Sequence, residues 1–209
     1  YVMFYSISNI TQELPGFRLG PVLLGKLERK LNQEYQLSGG SIAYSTLSPV
    51  RLFPKWLNEK LSEKEAEPSV RMFTYKEIAD VADAFDGMTP EQMLRTYMPI
   101  IAVPKGKGVA YEVSGNPPEF EKPEQKEIFN QLRDDLCLEF LATARLTGEH
   151  KRKWMDHAAY DDVADFHLGN GAYIGNIAMQ PLQGNQGELP HAEWQQAGGV
   201  MANYVYSPN

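Results

Sequence analysis

Tyr1-Val2-Met3-Phe4-Tyr5-Ser6-Ile7-Ser8 begins a run, continuing to Ser48-Pro49, that reads strand, glycine-containing loop, helix, strand. The opening residues are aromatic or β-branched nearly throughout, as in a strand buried on both faces of a sheet. Turn-formers take over at Asn9-Ile10-Thr11. Gln12-Glu13-Leu14-Pro15-Gly16-Phe17-Arg18-Leu19-Gly20-Pro21 follows, with glycines four apart and a proline where a first helical residue would lie. That pattern is a loop feeding a helix N-terminus. The helix is predicted from Val22 to about Glu34, with Leu23, Leu24, Leu27 and Leu31 as its apolar stripe and Lys26, Glu28, Arg29 and Lys30 facing water. Gly39-Gly40 turn the chain into a second strand, Ser41 to Leu47, which ends at Ser48-Pro49.

A strand, helix, strand unit of this length joins two parallel strands by a right-handed crossover, so both strands point their C-terminal ends the same way. Ligands bind at such ends. Here they carry Ser6, Ser8 and Ser48, beside a helix N-terminus whose unpaired N–H groups suit an anion such as a pyrophosphate. Gly16-Phe17-Arg18-Leu19-Gly20 lacks the GxGxxG spacing of a dinucleotide fingerprint, and no Gly-Lys-Ser/Thr follows to make a Walker loop. The residues alone fit either a phosphate cradle or a plain connection.

A chain of 209 residues can bury a substantial core as one domain. A net charge of -7 and a pI near 5.2 argue against nucleic acid as a partner. The apolar runs fall far short of the ~20 residues a membrane span needs, and no secretory signal pattern is present. Cys137, the single cysteine, cannot form an internal disulfide, and its setting reads as a buried thiol in a helix. Asn9-Ile10-Thr11 matches a glycosylation sequon, which carries little weight without a secretory signal. The chain starts at full hydrophobic strength on Tyr1, with no methionine or polar lead-in, so a segment of a longer polypeptide is expected.

Beyond Pro49, Phe53, Trp56 and Leu57 share one side of a short helix, and Lys60 to Pro68 reads as a charged turn or helix end. Ile78, Val81, Ala82 and Phe85 lie at helical spacing, and Thr89-Pro90-Glu91-Gln92 caps the start of another helix. Pro99 to Pro123 is irregular in pattern, and residues 62–124 read as an insertion-like region. Lys105 and Lys107 lie between glycines in what reads as a surface loop. Glu124 to Leu146 is a long helix, with Ile128, Leu132, Leu136, Phe140 and Ala144 recurring every four residues and Leu138 and Leu141 widening the face. His150-Lys151-Arg152-Lys153 is the densest basic cluster and reads as a solvated face, with phosphate pairing as the alternative. In Asp165-Phe166-His167-Leu168-Gly169-Asn170-Gly171-Ala172 a tight turn follows Phe166, so His167 is positioned by backbone. Gly198 to Tyr206 closes the chain as a strand with Tyr204 and Tyr206 on one face.

There is no HExxH, no Cys-x-x-Cys and no GxSxG, and the four histidines lack metal-ligand spacing, so no metal site is expected. What survives is serine plus histidine on separate elements. Tyr5-Ser6-Ile7-Ser8-Asn9, Ser45-Thr46-Leu47-Ser48-Pro49, Phe166-His167-Leu168-Gly169-Asn170-Gly171-Ala172 and Asn203-Tyr204-Val205-Tyr206, in this order, resemble the C-terminal catalytic domain of the malonyl-CoA decarboxylase family. The match runs from end to end and is poor from about Ser62 to Glu124.

The resemblance implies an α/β (α+β) fold similar to the GCN5-related N-acetyltransferases: a mixed sheet flanked by helices, with a central pair of parallel strands and a strand-loop-helix-strand CoA-binding unit. It implies a single catalytic domain over residues 1–209 that lacks the family's N-terminal helical domain and first strands. Carried over residue by residue, the family's serine and histidine fall on Ser48 and His167, and its supporting residues on Ser6, Tyr206 and Asn170. The CoA-binding loop falls on Thr11, Gln12, Gly16, Phe17, Arg18, Leu19 and Gly20. Arg18 stands where the family has a glutamate, a departure that alters the hydrogen bonding around the pair. The implied activity is conversion of malonyl-CoA to acetyl-CoA and CO2 in fatty-acid metabolism, with no cofactor, because the thioester itself delocalises the developing charge. Malonyl-CoA is the expected partner, and the full-length protein is expected to be a homo-oligomer in the cytoplasm, or in the mitochondrial matrix or peroxisome of a eukaryote. Two alternatives stay open: a decarboxylase or acyltransferase for another acyl-CoA or carrier-protein thioester, and a non-catalytic acyl-CoA-binding or assembly module.

Overall fold

The computed structural model describes residues 2–5, 19–36, 44–66, 72–106, 108–115, 118–143, 161–179 and 195–206. The chain divides into two compact units. The first comprises residues 1–48, 167–176 and 202–209, and the second residues 49–166 and 177–201.

The first unit holds the deciding stretch. Strand β1 (Val2–Tyr5) pairs in parallel with β2 (Tyr44–Pro49), Val2 opposite Tyr44 and Tyr5 opposite Leu47, and helix α1 (Leu19–Gln36) makes the crossover. Parallel neighbours require the connecting helix to run back along the sheet, which puts the start of α1 at the C-terminal ends of both strands. Tyr44 ties strand to helix, its hydroxyl donating to Asn32 Oδ1 at 3.0 Å. The helix starts three residues earlier than predicted. Lys26, Arg29 and Lys30 face solvent as expected, but Leu27, placed on the apolar stripe by its spacing, is 41% exposed. The last two strands are β5 (Tyr173–Met179) and β6 (Val200–Tyr206), and the sheet order is β1-β2-β6-β5.

The second unit is built from α2 (Phe53–Ala66), α3 (Tyr75–Ala84), α4 (Pro90–Tyr97), the hairpin β3 (Ile100–Lys105) and β4 (Gly108–Val113), and α5 (Pro123–Thr143). Local chemistry fixes the helix starts. Thr74 and Glu77, and Thr89 and Gln92, form reciprocal capping boxes at α3 and α4, each satisfying two otherwise orphaned N–H groups. Phe140 on α5 packs against Phe53 and Trp56 on α2, at ring-centroid distances of 6.1 and 5.5 Å. Cys137 is buried beside them, and burial pushes its thiol well above the ordinary range, so it stays protonated. Leu138, predicted to widen the apolar face of α5, is 38% exposed, while Leu132, Leu136 and Leu141 are buried.

The segment from Lys60 is a helix end, one of the two readings its charges allowed, since α2 continues to Ala66. One prediction here is corrected: Pro99 to Pro123, read as irregular, holds an antiparallel hairpin with Lys105 opposite Gly108, so the two strands are joined by a tight turn. Gly106, at φ +61°, supplies the left-handed backbone that such a turn needs. Pro104 is tolerated because each strand of a two-stranded sheet keeps a free edge. Among the described residues, no helix is long and apolar enough to cross a membrane.

Candidate active site

Strand β2 runs through Ser48 and Pro49 rather than stopping before them, so Thr46 and Ser48, two apart, project from the same face. Thr46 is buried and Ser48 half-buried.

Facing them is His167, in the last turn of α6 (Asp162–Gly169). The helix starts at Asp161, whose Oδ1 accepts from the N–H groups of Val163 (2.9 Å) and Ala164 (3.1 Å). It ends by a defined motif. Ala172 N–H donates to the His167 carbonyl at 3.1 Å, Gly171 N–H to the Leu168 carbonyl at 3.2 Å, and Gly171 sits at φ +85°. These are the paired bonds of a Schellman cap with glycine at its left-handed position. His167 therefore lies inside the helix, just before a turn at Asn170-Gly171. The prediction that backbone geometry positions this histidine matches the cap.

The imidazole is held on three sides. Nδ1 lies 2.7 Å from the Tyr206 hydroxyl, Nε2 lies 3.3 Å from Ser48 Oγ and 3.5 Å from Thr46 Oγ1, and Tyr204 stacks on the ring face at 4.4 Å and 17°. Tyr204 and Tyr206 share a face of β6, so one strand supplies both the face contact and the hydroxyl. A helix C-terminus by itself favours a positive imidazolium. Burial acts the other way and wins, pushing the His167 pKa down to about 4, so the ring is neutral near pH 7. Burial also raises the Tyr206 pKa, which keeps its hydroxyl protonated. A neutral imidazole has one N–H and one lone pair, and hydroxyls at both nitrogens can serve either tautomer.

This makes a testable statement about charge. In an NMR titration of the full-length protein, the His167 ring is expected to stay neutral between about pH 8 and 5.5 and to charge near pH 4. A transition near the ordinary histidine value of about 6.5 would contradict the burial argument. The unfolded chain takes up that proton below about pH 6.5, while the folded one refuses it until about pH 4. His167 therefore erodes stability as pH falls through this window and has no such effect above it.

Of the residues predicted for the site, Ser48, His167 and Tyr206 come together. The Asn170 side chain is exposed, and its backbone N–H donates to the His167 carbonyl at 3.2 Å. Leu19 and Gly20 are the first two residues of α1. Ser6, Thr11, Gln12, Gly16, Phe17 and Arg18 lie outside the described residues, as does the basic cluster at 150–153. Sequence reasoning missed Thr46 and Tyr204 as contacts of the imidazole. The signal for each was the period of two along its strand, which puts Thr46 with Ser48 and Tyr204 with Tyr206.

The family model described as malonyl-CoA decarboxylase C-terminal domain matches residues 1–209. The mitochondrial malonyl-CoA decarboxylase of Rattus norvegicus is 29% identical over 205 residues, covering 98% of this chain and 35% of the relative. That of Anser anser anser is 27% identical over 206 residues, with 98% and 34% covered. The chain thus spans about a third of the length of these relatives. Among solved structures, malonyl-CoA decarboxylase from Agrobacterium vitis superposes with a TM-score of 0.58 at 21% identity, covering 99% of this chain and 38% of that one. The enzyme from Rhodopseudomonas palustris gives 0.55 at 22%, with 98% and 35% covered. These two share the mixed α/β fold. With the family model matched along its entire length, this chain belongs to the malonyl-CoA decarboxylase C-terminal domain family.

Proposed function

We propose that this chain carries the reaction centre of a malonyl-CoA decarboxylase, with Ser48 and His167 as its catalytic residues. The observation that carries the reading is the 3.3 Å approach of Ser48 Oγ to a His167 ring that Tyr206 holds from its other nitrogen.

Breaking the bond between the malonyl carboxylate and the α-carbon releases CO2 and leaves the electron pair as a thioester enolate. That carbon then takes up one proton, so each turnover consumes a proton and yields acetyl-CoA. Two things are needed: donors at the thioester oxygen while charge develops, and a group that delivers the proton. The half-buried Ser48 hydroxyl donates toward the acyl group, and His167 Nε2, at its back, carries the proton traffic. Burial keeps the imidazole neutral, whereas a substrate carboxylate brought close favours the protonated ring. Protonation is thus tied to the arrival of the anion that needs it. Tyr206 is a positioning residue at Nδ1, and Asn170 supports the helix end through its backbone. The thioester serves as electron sink, so the reading calls for no cofactor.

The CoA end is assigned to residues 11–20. Its described members, Leu19 and Gly20, open the first turn of an 18-residue helix, where free N–H groups suit a pyrophosphate. Ser6, the residue after β1 in sequence, is assigned a supporting role on the resemblance. Arg18, in place of an acceptor, is assigned no grip on the malonyl carboxylate in this reading, because a cation there stabilises the ground state more than the transition state.

The test is to mix full-length protein with malonyl-CoA and follow acetyl-CoA and CO2, with methylmalonyl-CoA in parallel. Turnover of malonyl-CoA is expected. Faster turnover of the branched substrate would change the acyl specificity, and binding of malonyl-CoA without turnover would refute the reading.

A further inference from the structure

Nε2 of His167 has two hydroxyl neighbours. Ser48 Oγ lies at 3.3 Å and Thr46 Oγ1 at 3.5 Å, both from the same face of β2. An imidazole nitrogen offers either one lone pair or one hydrogen, so it makes one good hydrogen bond at a time. The two hydroxyls are therefore alternatives for a single position.

They differ in what else they can do. Thr46 is 3% exposed, so its hydroxyl cannot fall back on bulk water, whereas Ser48 is only half-buried. Valine would fill the same volume at this strand position without the cost of burying a hydroxyl. A threonine there is explained by the ring nitrogen it faces. The β-branched side chain is also stiff about χ1, which holds its hydroxyl in place. Elsewhere on the ring Tyr204 covers one face at 4.4 Å and Tyr206 lies 2.7 Å from Nδ1. Nε2 is the one edge of this set where a partner can change.

We infer that Thr46 is a positioning residue that takes over the hydrogen bond to His167 Nε2 when Ser48 turns toward the acyl thioester, holding the ring in one orientation, and its neutral form in one tautomer, until the proton moves. Ser48 is the nearer partner in the structure. With substrate bound, the Ser48 hydroxyl is engaged by the acyl group, and without Thr46 the ring nitrogen would lose both of the hydroxyls that meet it here during the step that needs it aligned. The inference rests on the decarboxylase reading for its substrate but not for its geometry.

The experiment compares Thr46→Val and Thr46→Ser with wild type in the full-length protein. Thr46→Val is expected to lower kcat on malonyl-CoA about tenfold, the size of one neutral hydrogen bond, with KM within about twofold. Thr46→Ser, which restores a hydroxyl, is expected to recover most of the loss. A wild-type kcat in Thr46→Val would overturn the proposal, as would failure of serine to rescue in a variant that unfolds at the wild-type temperature. If Thr46→Val does not fold, Thr46→Ala read against Thr46→Ser serves the same purpose. A second readout is independent of turnover: the 15N resonances of His167, with and without acetyl-CoA. In wild type one tautomer is expected in both states, and in Thr46→Val a mixture appears when acetyl-CoA is bound. If wild type fails to decarboxylate malonyl-CoA, the decarboxylase reading falls and the 15N spectra alone decide this one. Identical ring spectra in wild type and Thr46→Val would overturn it.

Discussion

His167→Asn in the full-length protein is expected to lower kcat on malonyl-CoA by ~100-fold or more while leaving CoA affinity within about twofold. The ring touches Ser48, Thr46, Tyr204 and Tyr206, all of them remote in the chain from the assigned CoA loop at residues 11–20. Asparagine can occupy part of the volume and hydrogen-bond a tyrosine hydroxyl, but it cannot take up and release a proton near neutrality. Ser48→Ala should cost a comparable factor. The double variant should cost little more than either single one, because two groups that act on one proton lose their function together. Steady-state kinetics with malonyl-CoA, alongside calorimetric binding of CoA, separate the outcomes. A single variant retaining more than about a tenth of wild-type kcat would remove that residue from the chemistry, and losses that simply multiply would argue that the two act independently.

Phe140→Ala carries the largest expected effect on stability. Phe140 is 1% exposed and its ring meets both Phe53 and Trp56, which themselves stack at 6.1 Å. Removing a buried phenyl from such a cluster typically costs about 3–5 kcal/mol, the transfer energy of the ring plus the cavity that the neighbours fail to fill. The loss should fall on α2 and α5, whose apolar faces meet through these rings. Amide hydrogen exchange should therefore speed up in those two helices by a factor of 100 or more, about 3 kcal/mol in opening free energy. A change below about tenfold would mean that the trio is peripheral to what holds α2 and α5 together.

Much of this was legible in the sequence where a local rule decides the structure. Thr89-Pro90-Glu91-Gln92 announced α4 because a capping box needs only the residues at hand. The parallel pair β1 and β2 followed from strand, helix and strand in sequence. Elements whose existence depends on partners far along the chain were harder. The strand from Tyr173 to Met179 was not predicted, and it carries Gly175 inside it. The structure supplies the reason: a Cβ at Gly175 would lie 2.7 Å from Val205 Cγ2, so the glycine permits the close approach of β5 and β6 rather than breaking the strand. The β3–β4 hairpin was hidden similarly by Pro104 and two glycines, which serve a free edge and a tight turn. For the site, the residues alone gave serine and histidine on separate elements, and the family resemblance paired them. Nothing in the order of the chain says that Thr46 lies 3.5 Å from a ring 121 positions away.

The order β1-β2-β6-β5 also bears on how the molecule comes into being. The strand that meets β2 is the last one described, and β5, made before it, sits on its far side. As the polypeptide leaves the ribosome, β2 and β5 each wait with a bare edge until β6 arrives to wedge between them. Tyr204 and Tyr206 ride on that wedge, so the imidazole acquires its stacking and its Nδ1 partner only once β6 has been made. A nascent chain halted before Tyr204 would carry Ser48 and His167 without the strand that aligns the ring, a form of quality control built into strand order.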